Sequence, residues 1–142
     1  MYKLEIHGKT FAASHSDSLI KGEPLHGHNY RPIVLIEHDK LTDGMVIDFR
    51  IVKKLLNEIT AEFDHKVLLG KKDVKEIKGE TVVCHSNYSV PKKDAVLLDE
   101  DYAMCELLAQ RVYRKLEKKL PKFKKLEVKI WETEYGAASF SE

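Results

Sequence analysis

Residues 26–39 read HGHNYRPIVLIEHD, and they restrict the fold more than any other stretch of the chain. The run from His28 onward is rich in Ile and Val and short of helix-favouring spacing, so it predicts a β-strand with buried positions. Pro32 has no N–H to give to a ladder, which places that end of the strand at a sheet edge or a bulge. His26 and His28 enter the strand at positions i and i+2, so on extended backbone both imidazoles point to the same side. Only Gly27 lies between them, and both rings can reach one small object.

The flanking segments complete a pattern. YKLEIH, from Tyr2, alternates with Tyr2, Leu4 and Ile6 on one face and Lys3, Glu5 and His7 on the other, a first strand that leads on to FAASH. A loop spans Ser16 to about Leu25. After the turn signal Thr42-Asp43-Gly44, Asp48 is a plausible N-cap for a helix carrying Val52, Leu55, Leu56, Ile59 and Phe63 at helical spacing. A second helix is predicted from near Tyr102, with Met104, Leu107, Leu108, Val112 and Leu116 on one face, ending before Pro121. KLEVKIWETE is the last strand. Between the helices, residues 70 to about 97 suggest an inserted β-hairpin in one domain covering residues 1–142. The order predicts an α+β fold with two helices on one face of an antiparallel sheet, and its uncovered edges predict oligomers.

Composition narrows the function classes. Lys and Arg number 24 against 23 Asp and Glu, so no global field recruits nucleic acid or an anionic membrane. The basic run Arg114–Lys125 contains Leu116, Glu117 and Leu120 at helical spacing and reads as a solvated helix face. No stretch is long and apolar enough for a membrane span, and MYKLEIHGKT has no leader-like apolar core. Cys84 and Cys105 form no paired framework, which suits the cytoplasm.

Three histidines lie close in sequence: His15 at the end of the first strand, and His26 and His28 entering the second. If these strands are neighbours, the three imidazoles converge as a zinc site with an open fourth position; otherwise they are strand histidines bonded to backbone. Asp64 beside His65 is either a helix-end polar pair or a carboxylate orienting a general acid–base. Period two carries the row Leu126, Val128, Ile130 on to Glu132. A carboxylate ending an apolar row needs donors, from a core Lys or Arg or from a ligand with two adjacent N–H groups, such as the amidine edge of a guanine or pterin. Glu106 suits the positive end of the second helix.

FAASH, LHGHNY, FDHK, an acid near the start of the second helix and WET, in that order, resemble the 6-pyruvoyltetrahydropterin synthase family, which also holds 6-carboxytetrahydropterin synthases. The resemblance spans the chain except for residues 70 to about 97. It implies a tunnelling fold: a four-stranded antiparallel sheet with two helices on one face, protomers joined edge to edge in a trimeric barrel, and two trimers in a homohexamer. It implies zinc on His15, His26 and His28. It also implies a small-molecule pterin substrate anchored by Glu132, with Glu106 matching a binding position, and a catalytic His65 oriented by Asp64.

One departure bears on the reaction. Family members making pyruvoyl or carboxy products carry a cysteine shortly before H-G-H, whereas this chain reads Lys21-Gly22-Glu23-Pro24-Leu25. Glu23 resembles the variant class in which glutamate replaces that cysteine and the side chain of 7,8-dihydroneopterin, or its triphosphate, is cleaved to 6-hydroxymethyl-7,8-dihydropterin. The expectation is a zinc-dependent lyase with Glu23 as base. The alternatives are a 6-pyruvoyl- or 6-carboxytetrahydropterin synthase with a rearranged base, and a non-catalytic metal- or purine-binding module.

Overall fold

The structure, a computed structural model, describes residues 1–16, 24–85 and 87–142; Glu23 lies outside the described residues. In chain order the elements are β1 (Tyr2–His7), β2 (Phe11–His15), β3 (His26–His38), α1 (Phe49–Thr60), β4 (Lys66–Leu69), β5 (Val74–Lys78), β6 (Thr81–Cys84), β7 (Ser89–Pro91), β8 (Ala95–Leu97), α2 (Cys105–Glu117), β9 (Lys125–Trp131) and β10 (Ala137–Ser141).

β3 is the spine. β1 and β2 run antiparallel along one of its edges, end after end, and β9 runs antiparallel along the other. The chain takes four steps from His7 to Phe11 where β3 takes three from Ile33 to Tyr30, so one extra residue bulges between β1 and β2. Pro32 lies opposite this bulge, in the middle of the strand rather than at its end. Gly8 N donates to Pro32 O at 2.9 Å. A strand residue's N–H and C=O face the same side, so the donor that Pro32 lacks would have faced the bulge, and the β9 ladder is intact. Gly8 is needed here for space as well: a Cβ would come within 2.6 Å of Leu56 Cδ2.

The sheet is larger than the four antiparallel strands expected. It has seven strands in the order β10-β9-β3-β2-β4-β8, with β1 also on β3, and it is mixed, because β2–β4 and β4–β8 are parallel. β10, unanticipated from the sequence, folds back on β9 through the turn closed by Glu132 N to Gly136 O.

Both helices contribute to one core with the sheet. Asp48 caps α1 by accepting Arg50 N at 2.8 Å, and Val52, Leu56 and Ile59 are buried at the expected spacing. α2 begins at Cys105, later than the expected Tyr102, and buries Leu108, Val112 and Leu116. Phe11 stacks on Tyr30 at 5.0 Å between centroids and meets Phe63 at 5.5 Å, contacts worth about 0.5–1.5 kcal/mol each beyond area burial. Arg111, mostly buried, ties α2 to the end of α1 through Glu62 at 3.1 Å and to Glu100 at 3.3 Å. No helix among the described residues is long and apolar enough to cross a membrane.

Residues 70–97 form more than a hairpin. β5, β6 and β7 make a separate three-stranded antiparallel sheet with its own apolar cluster of Leu69, Val82, Cys84 and Val90, and β8 returns to the main sheet. The exit point is Gly70, where a Cβ would collide with the backbone of Asp101 and Tyr102. Lys71 N and Lys72 N bond to Glu100 O and Asp101 O at 2.9 and 3.0 Å, locking this close approach.

Backbone, rather than a flexible side chain, occupies the space a Gly70 methyl would need. Gly70→Ala is therefore expected to destabilise the protein by about 2 kcal/mol or more, read as a lowered Tm in thermal unfolding. An unchanged Tm would show that the segments separate freely.

Candidate active site

His15 and His26 are paired across the β2–β3 ladder, and His28 stands opposite Ala13, one pleat further on. Alternation puts all three on the core face with Phe11, Ala13 and Tyr30. One ring nitrogen from each lies within 4.8 Å of the others. His15 Nδ1 donates to Ala103 O at 2.7 Å and His26 Nδ1 to Pro24 O at 2.8 Å. A carbonyl only accepts, so Nδ1 carries the proton and the neutral ring offers its Nε2 lone pair. Metal-ligating imidazoles are held in this way. Tetrahedral coordination at about 2.0–2.1 Å needs nitrogens about 3.3 Å apart, so small side-chain rotations close the cluster. The three residues fit a divalent cation.

The apolar row of β9 ends as expected: Leu126, Val128 and Ile130 are buried, and the next side chain on that face is Glu132. Among the described residues its charged-group neighbours are histidines rather than Lys or Arg. Glu132 Oε1 lies 3.4 Å from His15 Nε2 and 3.6 Å from His28 Nε2, with the carboxylate 30% exposed. Behind these groups are Tyr30, fully buried, and Cys105, whose thiol donates to Ile130 O at 3.2 Å. Burial, with Glu132 and Cys105 adding, holds the Tyr30 phenol above the ordinary tyrosine range, so it stays protonated. Burial likewise pushes the Cys105 thiol up to about 12, with the Glu132 and Glu106 charges adding to the rise. Glu106 itself is exposed in the first turn of α2.

Asp64 and His65 form the expected pair, Oδ1 to Nδ1 at 3.0 Å, at a different place. Asp64 Oδ1 also accepts Ala12 N at 3.0 Å, and His65 N donates to Ala12 O at 2.6 Å. These bonds hold His65 in the left-handed region, φ 60°, which is costly for a residue with a Cβ. The Ala12 N–H, and then the His65 charge, keep the Asp64 carboxyl below its usual range. A depressed folded-state value means that this tie is present at neutral pH and is lost as pH falls through the carboxylate range. The His65 ring is 82% exposed and lines a groove of about 430 Å³ with Ser14, Asn29, Lys66 and Asp94. Ser14 and Asn29 alternate with the histidines, so His65 stands with them on the opposite face of the sheet from the three-histidine cluster, although His28 also lines the groove.

Two participants escaped the sequence reading. The Ala103 carbonyl carries no signal in sequence. Tyr30 could have been found, since it extends the i, i+2 series of His26 and His28. The small sheet also reaches the site's margin: Tyr88 Oη and Ser16 Oγ, next to His15, are 3.0 Å apart.

The profile of the family described as 6-pyruvoyl tetrahydropterin synthase matches residues 5–142. The chain belongs to this family. Membership places it among the enzymes of pterin biosynthesis. A relative from Pyrococcus horikoshii, provisionally named 6-carboxy-5,6,7,8-tetrahydropterin synthase, is 34% identical over 131 residues, covering 87% of this chain and 80% of the relative. A Pyrococcus furiosus protein named dihydroneopterin monophosphate aldolase is 33% identical over 63 residues, 44% of this chain and 54% of the relative. The family's solved fold is the same: 6-pyruvoyl tetrahydropterin synthase from Plasmodium vivax superposes with a TM-score of 0.84 at 23% identity, covering 100% of this chain and 99% of that one. A variant of that enzyme altered at a catalytic glutamate superposes at 0.83.

Removing one of three ligands leaves two imidazoles, too few to hold a divalent ion tightly. The wild-type chain is expected to carry about one metal ion by elemental analysis, and His28→Ala to lose it while keeping its circular dichroism spectrum. Full metal content in the variant would dismiss the cluster as a metal centre.

Proposed function

We propose that this chain is a zinc-dependent carbon–carbon lyase that converts 7,8-dihydroneopterin, or a phosphorylated form of it, to 6-hydroxymethyl-7,8-dihydropterin. The observation that carries this reading is the placing of carboxylate and thiol. The segment before His26 contains Glu23 and no cysteine. Both cysteines are buried elsewhere, Cys84 in the small sheet and Cys105 in the core, and burial raises both thiols above their ordinary range. Neither is a thiolate at neutral pH. The partial match to an aldolase, and the catalytic glutamate of the Plasmodium vivax enzyme, support the same choice.

Glu132 would accept the two N–H groups of the pterin amidine edge, and Glu106 would lie at the margin of the same site. A zinc ion on His15, His26 and His28 would supply Lewis acidity toward the side-chain hydroxyls. Glu23 takes the proton of the C2′ hydroxyl. The C1′–C2′ bond then breaks, C2′ leaves as an aldehyde carbonyl, and the bonding pair moves into the electron-poor ring. A proton delivered to C1′ completes the hydroxymethyl group, and His65, oriented by Asp64, would deliver it. In one chain His65 is on the opposite sheet face, so it would serve a neighbouring protomer's site.

That role implies assembly. Among the described residues the outer sides of β1, β10 and β8 are unpaired, which suits edge-to-edge joining, and we infer a homohexamer built from two trimers. Light scattering should give six times the 16.4 kDa chain mass, and a stable monomer at micromolar concentration would rule this out. The free thiols of Cys84 and Cys105 suit a cytoplasmic setting.

The second reading, 6-carboxytetrahydropterin synthase, is favoured by the near full-length match to relatives of that name. Mass spectrometry of the product decides. Dihydroneopterin monophosphate and triphosphate, each with the zinc-loaded protein, should yield 6-hydroxymethyl-7,8-dihydropterin, and Glu23→Gln should lower turnover about 10²–10⁴-fold with zinc retained. A carboxy or pyruvoyl product would establish the second reading instead.

A further inference from the structure

We propose that Tyr30 is a positioning residue: its hydroxyl becomes the donor that holds Glu132 once His15 and His28 bind a metal ion. The inference rests on the metal and pterin reading above and adds a residue to it. The β3–β9 register pairs Arg31 with Trp131, and one further step sets Tyr30 against Glu132 on the shared face. Such neighbours have Cβ atoms about 4.5–5.5 Å apart. His28, two residues before Tyr30 on that face, already approaches Glu132 at 3.6 Å.

Tyr30 is 0% exposed, yet its hydroxyl has no hydrogen-bond partner among the described residues. Buried hydroxyls are seldom left so without a reason. Its surroundings offer few acceptors. Phe11 covers one ring face, His15 and His28 stand edge-on to it, and the Cys105 thiol is engaged with Ile130 O. Among the described residues Glu132 is the anionic acceptor on that side.

Metal binding changes what Glu132 can bond to. The neutral His15 ring, with its proton on Nδ1 toward Ala103 O, already has no N–H at Nε2 to give Glu132, and an Nε2 lone pair given to a metal ion would leave His28 none either, so neither ring then donates to the carboxylate from Nε2. The Tyr30 O–H takes over as donor to one oxygen, and the other remains for the substrate's N–H edge.

The test uses the wild-type protein, Tyr30→Phe, Glu132→Ala and the double variant, each with and without zinc. Affinity for 7,8-dihydroneopterin is read by fluorescence, zinc affinity by chelator competition and Tm by thermal unfolding. Without zinc, Tyr30→Phe should melt at or above the wild-type temperature, because it loses a hydroxyl that has no partner. With zinc, it should bind the pterin about tenfold more weakly, and this loss should vanish in the Glu132→Ala background, which has no acceptor for the hydroxyl. Equal losses in both backgrounds would assign Tyr30 to packing and overturn the proposal, as would unchanged pterin affinity. A wild-type protein that takes up no zinc would sink the metal reading itself. One that takes up zinc and yet gives additive variants would sink only the role of Tyr30.

Discussion

The two-sided pairing of β3 is the constraint on which the rest of the structure depends. Along residues 31–37 this strand has β9 on one edge and, over most of that length, β1 on the other, and its alternation buries Val34 and Ile36. The same alternation, continued toward the N-terminus, sets Tyr30, His28 and His26 on that face in turn. A register slip of one residue would turn the apolar set outward and take the histidines with it. The match of apolar surface in the core thus fixes the register of the metal-ligand candidates, and a separate device for aiming them is unnecessary.

The site lies where this ladder opens. β9 stops at Trp131, so Glu132 follows the apolar row without being sealed beneath another strand. His15, by contrast, is nearly enclosed and is anchored to the carbonyl of Ala103, just before α2. The cluster therefore combines candidate metal ligands held by strands with a carboxylate at a hairpin edge, close to two of the imidazoles and partly open to solvent. Fixed electrostatics beside one adjustable acceptor is an arrangement suited to changing partners during a reaction.

Much of this was legible in the sequence because it depended on period. Alternation located β1, β3 and β9 and set Glu132 on the row of Ile130; helical spacing and the Asp48 cap located α1. The i, i+2 histidines and His15 needed only neighbouring strands to converge. What was not legible depended on long-range backbone geometry. The bulge opposite Pro32 needs the partner strand's count as well as its own. The parallel pairing of β4 with β2 and β8 is set by tertiary position, since Lys66–Leu69 and Ala95–Leu97 are too short to show a pattern. The separation of Asp64 and His65 from the cluster follows from which sheet face the end of α1 meets, and no local pattern encodes that.

The small sheet leaves the main one at Gly70 and re-enters it at Ala95, next to the strand it left. Its ends are therefore fixed by the main sheet whatever lies between them. Closing a longer excursion between fixed ends costs only a logarithmic increment of chain entropy, about 0.6 kcal/mol per doubling. The segment from 71 to 94 is thus where this fold can gain or lose length, changing the surface beside the three-histidine cluster while the strands that aim the histidines keep their register.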